Sequence, residues 1–333
     1  MIAGVVKEAA GVLDRRFLLN AFLPALTVLG GLALVIAGLE LGVGPAIRRL
    51  GSQDSLLTSF EVAGFVVVVA VLAGLLSSLE SALFRLAEGY WWGPLRRTLG
   101  ALGKRWHRRR LAALGEQIAD DAAYETVYLR YPLPTQPGEV MPTRLGNILK
   151  NAELYPRDRY EIDAVLVWPR LYPLLPERMA TTLNAAQSDV ALLLTAATCA
   201  AGFAVVAGGY VLAAGGSSVL FLACFWGGIA LAWLAYRAAC SAAIGYAQLV
   251  KAAFDIGRTE LRAKLPDGDP GEDEMAYWRR VCAQWYRNVA TAHAPAPEPP
   301  APEDPPKGLA LPLSVWLLGS AAVVGAAGAI LLA

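Results

Sequence analysis

The sequence predicts an all-α membrane protein with about five transmembrane helices and a mainly helical cytoplasmic module. Of its 333 residues 56% are hydrophobic and only 17% charged, a balance that points away from soluble globular domains. One stretch, Val190 to Tyr236, runs for forty-seven residues without Asp, Glu, Lys or Arg. As a single helix it would be roughly 70 Å long, more than twice the ~30 Å hydrocarbon core of a bilayer, so it must cross twice. Finally, the basic residues cluster on one side of the topology that these runs imply.

Taken in order, residues 1–16 carry Lys7, Arg15 and Arg16, with Val5, Val6, Ala9 and Val12 on one face of a short amphipathic helix. Phe17 to Leu39 is uncharged, too long for a signal-peptide core and without a convincing cleavage site, and it reads as a first span. Pro24 sits in its first turns, where a missing N–H costs least. A second span covers 62–84, with Glu61 and Glu80 near its ends and Glu80 close enough to Arg85 for an interfacial pair. The spans of the second hairpin are 190–212 and 219–236, separated by the permissive Ala213 to Ser218 turn.

Bacterial membrane proteins keep Lys and Arg mainly inside, and a cytoplasmic N-terminus satisfies that rule here. It places the basic residues of 85–178 and of 237–307 in the cytoplasm and leaves Arg48 and Arg49 outside. The expected location is therefore a bacterial inner membrane with the C-terminus outside.

The cytoplasmic module, 85–189, opens with Tyr90, Trp91 and Trp92, rings suited to the headgroup layer. Leu95, Leu99, Leu102 and Trp106 then form a helical stripe interleaved with Arg96, Arg97, Lys104, Arg105, Arg108, Arg109 and Arg110. Trp91, Trp92, Arg96, Arg97, Lys104 and Arg105 are the expected contacts with an anionic inner leaflet; nucleic acid is the weaker alternative for such a patch. Thr143 to Leu154 predicts a short helix with Leu145, Ile148, Leu149 and Ala152 on one face, ended by Tyr155-Pro156. Ile162 to Trp168 fits a buried strand or a helical segment equally, and Pro176 begins a helix feeding the third span.

From Arg237 the fourth span continues without Pro to Leu265 as a stalk, with Lys251, Asp255, Arg258 and Arg262 along one face and Lys251 paired to Asp255. Pro266 to Gly271 is a turn, and Asp273 caps a return helix carrying Trp278, Cys282, Trp285 and Val289. The segment 294–307 is a proline-rich spacer, and the uncharged 308–333 is a fifth span.

No catalytic, cofactor or metal site is expected. His107 and His293 lack a nucleophile or carboxylate at motif spacing, and the four cysteines make no CxxC or Cys/His pattern. Phosphate-loop, dinucleotide and zinc-helix motifs are absent, and Asp120, Asp121, Glu125, Asp158, Glu161 and Asp163 read as solvated surface. Small residues at fourfold spacing mark helix-packing faces at Gly208, Gly228 and Gly325.

The segments DRRFLLNAFLPAL (14–26), EGYW (88–91), the 142–177 stretch with its RLGN, RYEIDAV and WPRL elements, and YAQLVKAAFDIGRTELRAKL (246–265) resemble a group of bacterial polytopic membrane proteins. No activity is attached to that group, so the resemblance implies only an inner membrane and a cytoplasmic module. The expected function is a non-enzymatic scaffold, adaptor or sensor that engages a cytoplasmic protein, with a homo-oligomeric channel or pore as the alternative.

Overall fold

The computed structural model describes residues 15–40, 42, 55–265 and 272–287. Among them all regular structure is helical, and four helices are long and apolar enough to cross a membrane. The proline spacer, the expected fifth span with Gly325, the 266–271 turn and the N-terminal 1–14 lie outside the described residues.

Helix α1 covers 15–40 and widens into a π turn over Leu18–Phe22. Pro24 supplies the reason, because it has no N–H for the carbonyl four residues earlier. Helix α2 is Ser55–Ser78, and Leu79 (φ −91, ψ 1) separates it from the short amphipathic α3, Glu80–Glu88. The expected span 62–84 contains this break. Glu80 and Arg85 form no ion pair either: Glu80 borders a groove and Arg85 is exposed.

Helices α8 (Glu177–Ala213) and α9 (Ser218–Lys264) form the antiparallel hairpin on which everything else is mounted. Ala214 ends the first, Gly215 takes φ +66, and the Ser217 hydroxyl caps the second by accepting from Leu220 N at 3.2 Å. Their faces meet through small residues: a Cβ on Gly228 would stand 2.7 Å from that of Ala204, and one on Gly208 would stand 3.1 Å from Phe225. Such faces permit close backbone approach. Helix α1 runs parallel to α8, tied at one end where Asn20 donates to Ser188 Oγ (2.9 Å) and at the other where Tyr210 donates to Glu40 (2.8 Å). On α2, Val67, Val68, Val71 and Leu75 stand exposed, a surface suited to a lipid environment.

The module packs on the distal half of α9. Helix α4 covers 93–116, α5 is Asp121–Arg130, α6 is Arg144–Tyr160, α7 is Ala164–Leu171 and α10 is Glu274–Arg287. Thr143 caps α6 through Gly146 N (3.0 Å), and the buried Asn147 side chain holds the preceding turn through Met141 N, Met141 O and Thr143 O. Contrary to expectation, α6 does not stop at Pro156 but continues to Tyr160. Proline's φ suits a helix, so its cost is one missing bond and local crowding, and the terminus instead falls where Glu161 turns left-handed at φ +60.

The ambiguous 162–168 run resolves as helix, because Asp163 accepts from Val165 N (2.9 Å) and Leu166 N (3.2 Å). Asp273 caps α10 through Ala276 N at 3.2 Å, and Tyr277, Trp278, Val281 and Cys282 pack with Phe254, Leu171 and Ile162 into the largest core. The return helix thus closes on both the stalk and the 86–189 region.

Candidate functional site

Two features converge where α2 and α3 meet the module: a tyrosine-lined seam along the stalk and an open groove beside it. In the seam, the four-residue repeat Lys251, Asp255, Arg258 and Arg262 brings each polar group to an aromatic partner. Lys251 is 3% exposed; its ammonium donates to the Tyr128 carbonyl at 3.0 Å and lies 4.3 Å from the Tyr128 ring and 5.3 Å from that of Tyr155. Burial pulls its pKa down to about 8, opposed by the nearby Asp255. The expected Lys251–Asp255 pair does not form, because Asp255 is engaged elsewhere.

Asp255 accepts from Tyr160 at 2.6 Å and from Tyr155 at 3.0 Å. Burial and these bonds raise both phenols above their ordinary pKa, so they are hydrogen donors at neutral pH. Arg258 covers the Tyr160 ring at 4.1 Å and pairs with Glu274 at 3.0 Å, while Arg262 covers the Tyr277 ring at 4.7 Å. One polar stripe on α9 therefore fastens α5, α6 and α10.

The groove, about 710 Å³, lies between the α2–α3 junction and the α6, α7 and α9 surface. Phe84, Leu149, Trp168, Val250 and Phe254 give it apolar walls, and Glu80, Glu88 and Glu153 line its rim. Glu153 is held by Lys150 at 2.8 Å, whereas Glu80 and Glu88 form no ion pair among the described residues. Burial, reinforced by Glu153, pushes the Glu88 carboxyl above the usual range. Two smaller cavities of about 210 and 270 Å³ adjoin it, and Gln187 borders all three. The trough is thus apolar along its walls and acidic at its edge, with Arg85 and Lys150 also near enough to act on Glu88.

The residues expected at the membrane surface differ in exposure. Trp92 is 70% exposed, and Arg96, Arg97 and Arg105 point to solvent. Trp91 is half-buried, with its indole N–H donated to the Leu86 carbonyl at 2.8 Å, and Lys104 is partly buried, which lowers its pKa. On α4, Leu95, Leu99 and Trp106 of the apolar stripe are half-buried. Leu102 is 62% exposed, and the inward face is Gly100, Gly103, His107 and Leu111, with Gly103 admitting the close approach of Pro142. His107 is fully buried, its Nδ1 2.9 Å from the Tyr131 hydroxyl.

The acidic residues do not converge. Asp163 is a cap, Asp158 accepts from Gln136 at 2.8 Å, and Glu161 pairs with Arg279 at 3.3 Å. Among the described residues no group of three His, Cys, Asp or Glu side chains is placed to hold a metal ion. The chain matches no known protein family, no curated protein and no solved structure in these comparisons.

Proposed function

We propose that the protein is a multi-pass membrane protein of a bacterial inner membrane, with the module cytoplasmic, whose groove receives a positively charged amphipathic segment of a protein partner. The reading makes it a scaffold, adaptor or sensor and assigns it no reaction. The observation that carries it is the groove itself, whose long apolar walls end in the two unpaired carboxylates Glu80 and Glu88. A helix laid into an apolar groove is read through its buried face, and its flanking charges select the orientation. The continuous α9, running from the apolar hairpin to the end of the module, offers a rigid path between binding and the membrane. Five spans and the bacterial-group resemblance of 142–177 accompany this proposal. The pore alternative is less favoured, because the small-residue faces at Gly208 and Gly228 are already occupied inside the hairpin.

The test uses the full-length protein in nanodiscs and two fluorescent amphipathic helical peptides, one Leu/Lys and one Leu/Glu. The basic peptide should bind and the acidic one should not, and Glu80→Lys with Glu88→Lys should weaken the basic peptide roughly tenfold or more. Equal binding of both peptides, or no effect of the double reversal, would sink the proposal. Turnover of a lipid or nucleotide that depends on Glu80 would replace it with an enzymatic one.

A further inference from the structure

We propose that Arg110, Arg130, Arg144 and Arg237, brought together from four helices, form a site for the phosphodiester headgroup of an anionic lipid. The inference rests on the membrane reading above and concerns the opposite chemistry from the acidic groove. Two contacts join the helices that carry the site. The His107–Tyr131 bond at 2.9 Å joins α4 to the residue that follows Arg130. The Leu145 amide donates to the Tyr236 hydroxyl at 3.4 Å, which brings the neighbours Arg144 and Arg237 to the same seam. Arg110 lies over the Trp106 ring at 5.3 Å and Arg237 over the Trp233 ring at 5.0 Å, so two of the guanidiniums are held by aromatic faces.

None of these four arginines has an ion pair or hydrogen bond to another described residue, whereas Lys150, Arg157, Arg258, Arg279 and Arg280 all meet carboxylates. Cations crowded without a counter-charge repel one another unless an anion joins them. The surroundings register this field: burial, with Arg110 and Arg237 beside it, lowers Arg144, and burial with Arg144 and Arg110 holds the His107 imidazole down to about 4. Planar guanidiniums match phosphate oxygens in bidentate fashion.

Position selects a lipid over a free phosphate. Arg237 is the first charged residue after the forty-seven uncharged residues that end at Tyr236, and Trp233 stands one turn earlier. The first arginine past the uncharged run is thereby expected at headgroup level.

Native mass spectrometry of the detergent-purified full-length protein, titrated with phosphatidylglycerol and with phosphatidylcholine, tests the site. Phosphatidylglycerol should be retained preferentially, and Arg144→Gln with Arg237→Gln should weaken that retention roughly tenfold or more. Because Arg144 is half-buried, the pair Arg110→Gln and Arg237→Gln, both exposed, provides an independent variant with the same expected loss. Arg96→Gln with Arg97→Gln, on the outer surface of the same helix, should change it less than about threefold. Equal retention of the two lipids by the wild type, or equal loss in the Arg96/Arg97 control, overturns the site. Displacement by inorganic phosphate or by a single-stranded oligonucleotide overturns the lipid assignment. Recovery of the protein from cells without detergent would defeat the membrane reading itself, an outcome separate from any of these.

Discussion

The hydroxyl of Tyr160 donates to the carboxylate of Asp255 at 2.6 Å, joining the end of α6 to a stalk residue 95 positions further along the chain. Tyr155 donates to the same carboxylate at 3.0 Å, so a single side chain satisfies two half-buried phenols. Asp255→Ala leaves both without an acceptor and removes the negative charge facing Lys251 and Arg258. The expected loss is about 2–4 kcal/mol, since hydrogen bonds to charged groups contribute ~1.5–3 kcal/mol each. Denaturant unfolding in detergent reads it, and proteolysis between α6 and α9 should accelerate; an unchanged midpoint would show that the seam does not fasten the module.

Lys251 predicts an alkaline rise in stability. Its folded pKa, about 8, lies below the ordinary 10.5, so between these values the unfolded chain binds more protons and stability increases with pH. Below about 8 the cost of burying the charged ammonium is fully present, and above 10.5 it is gone. Tyr155 and Tyr160, shifted upward, work in the opposite direction above their usual value of 10, and the buried Cys240 and Cys282 thiols do so above about 9, so pH 8 to 9 is the clean window. Thermal melts of wild type and Lys251→Met should diverge across it, with the wild type gaining; parallel curves would remove the buried ammonium from the account.

Gly228 tests how the hairpin is held. Gly228→Leu places a side chain where even a Cβ would stand 2.7 Å from that of Ala204, and the two long helices must separate. Overpacking of this kind costs about 1–3 kcal/mol or more. The melting temperature should fall while the oligomeric mass stays the same. A change of mass with unaltered melting would instead mean that this face joins copies of the chain.

Tyr286 provides the topology test, because Cys282 is only 8% exposed and a poor target for thiol reagents, whereas Tyr286 is 79% exposed. A Tyr286→Cys variant treated with a membrane-impermeant maleimide should label only after cells are opened. Rapid labelling of intact cells would invert the proposed orientation.

The groove and the seam differ in how far the sequence exposed them. The polar repeat Lys251, Asp255, Arg258 and Arg262 was visible as one helical face, because a period of 3.6 is a property of neighbouring residues. Its partners were not. Lys251 had a carboxylate four residues away and still took a carbonyl 123 positions distant, because in the packed chain that carboxylate was already bonded to two phenols. Likewise the leucines of α4 outlined an apolar stripe expected to meet a membrane surface. The face that packs is instead set by Gly103, whose lack of a side chain admits the Pro142 backbone.

By itself the sequence determined that the described chain is helical, that Val190 to Tyr236 folds as a hairpin turning within Ala213 to Ser218, and that Thr143 and Asp273 start helices. Each follows from hydrophobic length or from a side chain bonding a backbone amide three residues away. The tertiary structure decided that Pro156 would be carried inside α6, that Glu80 would border a groove rather than pair with Arg85, and that the Tyr128 carbonyl rather than Asp255 would receive Lys251. These depend on which surfaces can approach without steric overlap and on where the competing partners of each charge already lie, and neither quantity is written in the local order of residues.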